Sequence, residues 1–183
     1  MATTETILTA EEFRLLPDDG GPSELYRGQV IDMNLPSPRH GQICGTVVYL
    51  LRRFLENHNL GRVVSNDSGI ITEKNPDTVR GADVAFYSYA RVAKGPLPVG
   101  YLKVVPELVF EVISPNDRWS DLLGKVAEYL KAGVVVVCVL DPDTETAHAY
   151  RADRVAEVFS SQQALTLPDV LPEFSAVVAK FFE

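Results

Sequence analysis

The sequence predicts an α/β domain of the mixed α+β kind, with a mixed β-sheet flanked by helices. Three observations carry this prediction. Leu108-Val109-Phe110-Glu111-Val112-Ile113 is apolar on both faces except at Glu111, as a central strand covered on two sides must be. Ile43, Val47, Leu50, Leu51 and Phe54 fall at spacings of three and four, which marks a helix with one face to bury. Short strand-like runs separated by turn residues fill much of the remainder, in the order helix, hairpin, helix, strands, helix, strand, hairpin.

Thr9-Ala10-Glu11-Glu12 opens a short helix: Thr9 can cap it, and Glu12 stands three residues on, as a capping box requires. The turn Pro17-Asp18-Asp19-Gly20-Gly21 ends it. Glu24-Leu25-Tyr26 and Val30-Ile31-Asp32-Met33, joined through Arg27-Gly28-Gln29, make a hairpin that Pro36-Ser37-Pro38 breaks. The long helix runs from 40 to about 57 and is closed by Gly61. Strands are expected over 62–65, 68–72 and 83–87, followed by a loop rich in Pro, Gly and Lys over 90–106. After the central strand, Ser114-Pro115-Asn116-Asp117 turns and caps a second helix over about 117–131, which stops at Gly133. Residues 134–140 form a buried β-branched strand turned by Asp141-Pro142-Asp143. Residues 146–150, 155–160 and 164–167 are expected as antiparallel edge strands, with His148 in solvent, and 172–182 as a short closing helix. No linker divides the chain, so residues 1–183 are expected to form a single domain.

With 183 residues, 46% hydrophobic and 23% charged, the chain has ordinary globular composition and enough length for a core. Residues 1–10 lack the basic and apolar regions of a signal peptide, and the longest apolar run, 134–140, is too short to span a bilayer. Cys44 and Cys138 have no metal-ligand spacing and sit in apolar surroundings, as reduced buried thiols do. A soluble cytoplasmic protein without membrane contact is the expectation. The net charge of −8 counts against a protein that grips nucleic acid through its whole surface, but not against one whose acids gather around a cation. The chain has no Gly-rich phosphate loop, no Gly-x-Ser-x-Gly elbow, no zinc-ligand set and no row of stacking aromatics.

Five residues stand out. An ionised Glu111 amid Val109, Phe110, Val112 and Ile113 costs roughly several kcal/mol unless something pairs with it; the plain alternative is a strand-end carboxylate in a local salt bridge. Asp83 follows Arg80-Gly81-Ala82 at a strand start, where turn chemistry would also explain it. If the strands of Asp83 and Glu111 pair, two hard oxygen ligands face one pocket, as a Mg²⁺ site needs. Lys125 lies at the rim of the apolar arc made by Leu122, Leu123, Val126, Tyr129 and Leu130; it either leans toward the carboxylates or pairs in solvent with Asp121 or Glu128. His40 and Glu24 are secondary pocket candidates, the one otherwise a helix-end residue and the other an exposed strand carboxylate.

Around these residues the chain resembles the Uma-type restriction endonuclease family known as domain of unknown function 820, a branch of the PD-(D/E)XK superfamily. The matching segments are Glu24-Leu25-Tyr26-Arg27-Gly28-Gln29-Val30, Pro36-Ser37-Pro38-Arg39-His40, Arg80-Gly81-Ala82-Asp83-Val84-Ala85-Phe86, Pro106 through Pro115, Asp121 through Tyr129, Gly133-Val134 and Asp141-Pro142. They span nearly the whole chain in order. The resemblance implies a restriction-endonuclease-like mixed sheet flanked by helices, Mg²⁺ dependence with Mn²⁺ able to substitute, and hydrolysis of phosphodiester bonds in DNA. It implies Asp83 and Glu111 as catalytic acids and metal ligands. Ile113 stands where the superfamily's usual lysine would be, and the resemblance implies that Lys125 of the next helix supplies it. Ala82 replaces the common proline, and Val135-Val136-Val137-Cys138 lacks the polar and aromatic residues common there. A homodimer is implied by analogy with nucleases that cut both strands. Two other readings stay open: a catalytically inactive module of this fold that binds DNA or protein partners, and a structural dimer in which Glu111 meets Arg80 or Lys125 and nothing is cleaved.

Overall fold

A computed structural model describes residues 7–17, 21–115 and 117–183. The reading of 1–6, the acidic centre of the turn at 18–20 and Asn116 of the strand-to-helix turn lie outside the described residues.

Helix α1 (Ala10–Arg14) carries the expected capping box: the Glu12 amide donates to Thr9 Oγ1, and the Thr9 amide donates back to Glu12 Oε2 at 2.8 Å. Strands β1 (Ser23–Tyr26) and β2 (Gln29–Asp32) form the hairpin, turned by Arg27 and Gly28 at φ 51° and 82°. Helix α2 (Pro38–Leu55) is capped by Ser37 and buries Ile43, Val47 and Leu51. Then come β3 (Gly61–Glu73), β4 (Thr78–Ser88), β5 (Leu108–Val112), α3 (Trp119–Ala132), β6 (Val136–Asp141), β7 (Thr146–Arg151), β8 (Arg154–Phe159), β9 (Ala164–Leu167) and β10 (Leu171–Val177).

The main sheet runs β2-β1-β4-β5-β6-β7-β8, with β3 also on β4. Only β5 and β6 are parallel among neighbours in this order, and α3 connects them, so the sheet is mixed as predicted. Leu108, Phe110 and Val112 point to the face covered by α2, β9–β10 and the closing turn; Val109 points to the face covered by α3. The both-face apolar run therefore marks a strand buried on two sides.

Several local expectations change: Gly61 opens β3 instead of closing α2, whose C-cap is Glu56, and 62–65 and 68–72 belong to one strand. The closing segment is β10 followed by a single 3-10 turn, Val178–Phe181, not one helix over 172–182. Leu171, Phe174, Val178 and Phe181 are all buried at helical spacings, but a bulge with Glu173 at φ 72° resets an extended strand to produce that spacing. β9 pairs with β10 in a separate two-stranded sheet, not as an edge of the main one. β7 lies inside the sheet, so His148 is half-buried beside Trp119, with ring centroids 5.1 Å apart. Asp117 accepts from the Ser114 amide at 2.8 Å and closes the turn, but the residue at the start of α3 is Arg118, which contributes no side-chain cap.

At the other end of α3, Gly133 adopts φ 103°, and its amide and that of Val134 bond back to Leu130 and Tyr129. An L side chain is strained there. Gly133→Ala is expected to cost about 1 kcal/mol and lower the thermal midpoint, as calorimetry would register. An unchanged midpoint would show that the backbone rebuilds this end without strain.

β4 positions the site. β3 occupies one edge of β4 along its length, from Glu73 opposite Thr78 to Gly61 opposite Ser88. β1 and β5 must share the other edge: Leu25 pairs with Val79, and Leu108 to Phe110 pair with Phe86 to Val84. Between these contacts lie residues 80–83, where the two strands leave β4. Opposite this gap β3 bulges, with Asn66 and Asp67 both in the left-handed region. Ala82 packs on the α3 side while Val84 packs on the α2 side, so alternation changes parity across Asp83.

Candidate active site

The five candidate residues come together. Glu24 from β1, His40 from α2, Asp83 from β4, Glu111 from β5 and Lys125 from α3 all line one cavity of about 850 Å³. Three of them are buried carboxylates: Glu24, Asp83 and Glu111 are 4%, 8% and 5% exposed. A second cavity of about 890 Å³, beside Tyr101 and Lys103, has no buried charged side chain in its wall, so it lacks the electrostatic character of the first.

Each carboxylate has specific partners. Lys125 Nζ lies 2.8 Å from Glu24 Oε1 and 3.8 Å from Glu111 Oε2, so it reaches inward and pairs with neither Asp121 nor Glu128. Burial opposes its charge, but Glu111 and Glu24 more than offset this and hold its pKa above the ordinary lysine value. Arg80 grips Glu24 Oε2 at 2.8 Å and both oxygens of Glu128 at 2.7 Å, and its guanidinium lies over the Tyr26 ring. Glu24 also accepts from the Gly81 amide at 3.1 Å, so it is a buried clasp between β1 and β4, not an exposed strand residue. Glu111 Oε1 accepts from the Tyr129 hydroxyl at 2.8 Å. Burial raises the Glu111 pKa, Lys125 opposes the rise and Asp83 adds to it. Asp83 Oδ2 accepts from the Val112 amide at 2.7 Å and meets His40 Nε2 at 3.2 Å. Asp83 thus sits in mid-strand and ties β4 to the end of β5, which turn chemistry does not explain.

Sequence reading missed several members of this group. Asp67 lines the cavity from the β3 bulge, and burial, then the nearby Asp83, raises its pKa. Its signal was the polar run Ser65-Asn66-Asp67-Ser68, which split one strand into two expected ones. Tyr129 belongs to the apolar arc by its ring, yet its hydroxyl serves Glu111. Glu128, one of the two solvent partners that helical spacing offers Lys125, instead anchors Arg80.

The His40–Asp83 contact pushes the imidazole pKa from 6.5 up to about 10, with Asp83 the leading cause and Cys44 next. Because the folded value is raised, the contact contributes fully below pH 6.5 and is lost as pH rises toward about 10. In chelator, the thermal midpoint is expected to fall across that window, and His40→Asn should flatten the fall. Parallel pH profiles of the two proteins would remove this assignment.

The donor set fits a hard divalent cation. Asp83 Oδ1 carries no hydrogen bond among the described residues, and Glu111 Oε2 has only Lys125 at 3.8 Å. Each acid thus keeps an oxygen able to ligate, in a cavity whose other acids are Glu24, Asp67, Asp117, Asp121 and Glu128. Mg²⁺ takes a small number of carboxylate oxygens and completes its shell with water and phosphate oxygens.

A mixed sheet between helices, with strands diverging around a carboxylate cluster, is the architecture of the restriction-endonuclease-like nuclease folds. Residues 10–179 match the Uma2 family, described as "Putative restriction endonuclease", and the chain belongs to that family. A crystal structure described as "a putative nuclease belonging to DUF820", from Anabaena variabilis, is similar over 96% of this chain and 97% of its own. Its TM-score is 0.82 at 20% sequence identity, a likeness of fold. No curated protein matches the chain. Among the described residues no helix is long and apolar enough to cross a membrane.

Proposed function

We propose that the protein is a divalent-cation-dependent endonuclease that hydrolyses phosphodiester bonds in DNA. Asp83 and Glu111 hold Mg²⁺, for which Mn²⁺ can substitute, and Lys125 is the third catalytic residue. The observation that carries this reading is the convergence of the two acids and the lysine, from β4, β5 and α3, on one cavity. When bound, the cation supplies a coordinated water of lowered pKa and polarises the phosphate.

The chain's own residues set the stage for that chemistry. Lys125 has three N–H donors; one serves Glu24, leaving donor capacity for a phosphate oxygen or the attacking water. Arg80, clamped between Glu24 and Glu128, keeps Glu24 in place under the lysine. Tyr129 orients Glu111, and the Val112 amide and His40 orient Asp83. His40 and Glu24 complete the pocket wall. With a net charge of −8, contact with DNA depends on local basic groups and the bound cation, not on the overall field. A homodimer working in the cytoplasm completes the proposal.

One observation favours a second reading. The Glu111–Lys125 pair at 3.8 Å is what a purely structural ion-pair cluster would also contain. Calorimetric titration with Mg²⁺ and Mn²⁺, beside plasmid nicking, separates the two. The native protein is expected to bind and nick, and Asp83→Ala to do neither. Absence of cation binding by the native protein would overturn the nuclease reading and leave a non-catalytic module of this fold.

A further inference from the structure

We propose that His40, Cys44 and Asp83 form a second cation site, suited to a soft divalent ion of the Zn²⁺ class, which shares Asp83 with the Mg²⁺ pair and blocks hydrolysis when filled. The inhibitory part rests on the reading of Asp83 as a ligand of the hard cation. His40 and Cys44 lie four residues apart on the first turns of α2, on one face of the helix. Asp83 approaches from β4. Cys44 Sγ is 3.5 Å from His40 Nδ1, and Asp83 Oδ2 is 3.2 Å from His40 Nε2. One ligand atom from each residue lies within 4.8 Å of the other two. Zn²⁺ bonds of about 2.0–2.3 Å place tetrahedral ligand pairs roughly 3.3–3.8 Å apart. Cys44 faces Nδ1 and Asp83 faces Nε2, and an ion bonds one ring nitrogen, so the set closes when the Cys44 side chain turns toward the Nε2 side.

The donor chemistry separates this site from its neighbour. Glu111 and Asp83 offer oxygen alone, which suits Mg²⁺; imidazole and thiolate favour Zn²⁺ and related metals. The hydrolysis proposed above makes no use of Cys44, and among the described residues its side-chain hydrogen-bond partner is His40. Cys138, by contrast, lies fully buried in β6 and contributes to neither site. His40 and Asp83 line the solvent-connected cavity, which gives an ion a way in. An ion held here draws on Asp83 Oδ2 and sets a positive charge beside the hard-cation site on the same carboxylate, so filling one site weakens binding at the other.

The 183-residue chain stripped of metal would be titrated with Co²⁺ as a coloured stand-in for Zn²⁺. A thiolate-to-cobalt absorption band saturating at one equivalent is expected, and Zn²⁺ should bleach it. Cys44→Ser should lose the band, and Cys138→Ser should keep it. In calorimetry, Zn²⁺ should weaken Mg²⁺ binding to the native protein by more than about tenfold, and leave Mg²⁺ binding to Cys44→Ser unchanged; retained Mg²⁺ binding also shows that this variant is folded. No band, or a band that survives in Cys44→Ser, overturns the site. A band without displacement of Mg²⁺ overturns the shared ligand. A band in a native protein that binds no Mg²⁺ upholds the soft-ion site and brings down the hard-cation reading instead.

Discussion

Lys125→Met is expected to destabilise the metal-free protein by about 3–5 kcal/mol and to abolish cleavage. The side chain is only 18% exposed and bridges Glu24 and Glu111. Methionine fills much of its volume, so the loss is one of charge more than of packing. Glu24 keeps Arg80 and the Gly81 amide, but Glu111 is left with the Tyr129 hydroxyl alone. The deficit therefore falls on Glu111 and depends on pH. Burial already raises its pKa above the usual 4.5, and without Lys125 it rises further. Below 4.5 the acid is neutral in both folded and unfolded chains, and the variant has no buried charge to compensate. As pH rises the unfolded chain ionises first, and the variant loses ground. Urea unfolding at pH 5 and pH 8 in chelator checks this. A deficit equal at the two values would mean that the lysine acts through packing.

Glu111→Gln is expected to act in the opposite direction on stability while also eliminating cleavage. The amide is nearly isosteric and still accepts from Tyr129, and Lys125 retains Glu24 at 2.8 Å. In the native protein the raised pKa of Glu111 is a stability cost that is absent well below 4.5 and grows as pH rises through the folded value. The variant escapes it, and above pH 8 in chelator it should equal or exceed the native protein, by on the order of 1 kcal/mol. Mg²⁺ reverses the order. At a hundredfold excess over Kd, a bound cation stabilises the native protein by about 2.7 kcal/mol, and the variant should gain nothing. Thermal unfolding with and without Mg²⁺, run beside a nicking assay, reads both effects. A stabilised variant that still cleaves DNA would remove Glu111 from the catalytic set; native protein insensitive to Mg²⁺ would favour the structural cluster.

The two variants bear on a general feature of this site. Its acids are individually costly, since each is out of water. The arrangement is tolerable because Arg80 and Lys125 lie among them, and because backbone amides of Gly81 and Val112 satisfy Glu24 and Asp83. Amides in fixed positions stabilise a carboxylate without ordering a long side chain, which is why strand geometry matters here as much as charge.

The sequence by itself determined the fold class and drew attention to the acids. Periodicity is local, so the stripe in α2 and the doubly apolar run of β5 were legible as a helix and a covered strand. Glu111 was conspicuous because a carboxylate contradicts the burial its neighbours demand. Only the tertiary structure decided which charges meet. Lys125 joins Glu24 across roughly a hundred residues, and Arg80 joins Glu24 to Glu128, because β1 and β5 share one edge of β4 and α3 crosses above the gap they leave. No window of sequence contains that information: strand order and register set those distances. The same holds for Asp67, brought to the cavity by a bulge, and for β10, where a bulge at Glu173 turned helical spacing into a strand. A bulge shifts side chains to another face without changing residue type, so hydrophobic pattern alone cannot reveal where it falls.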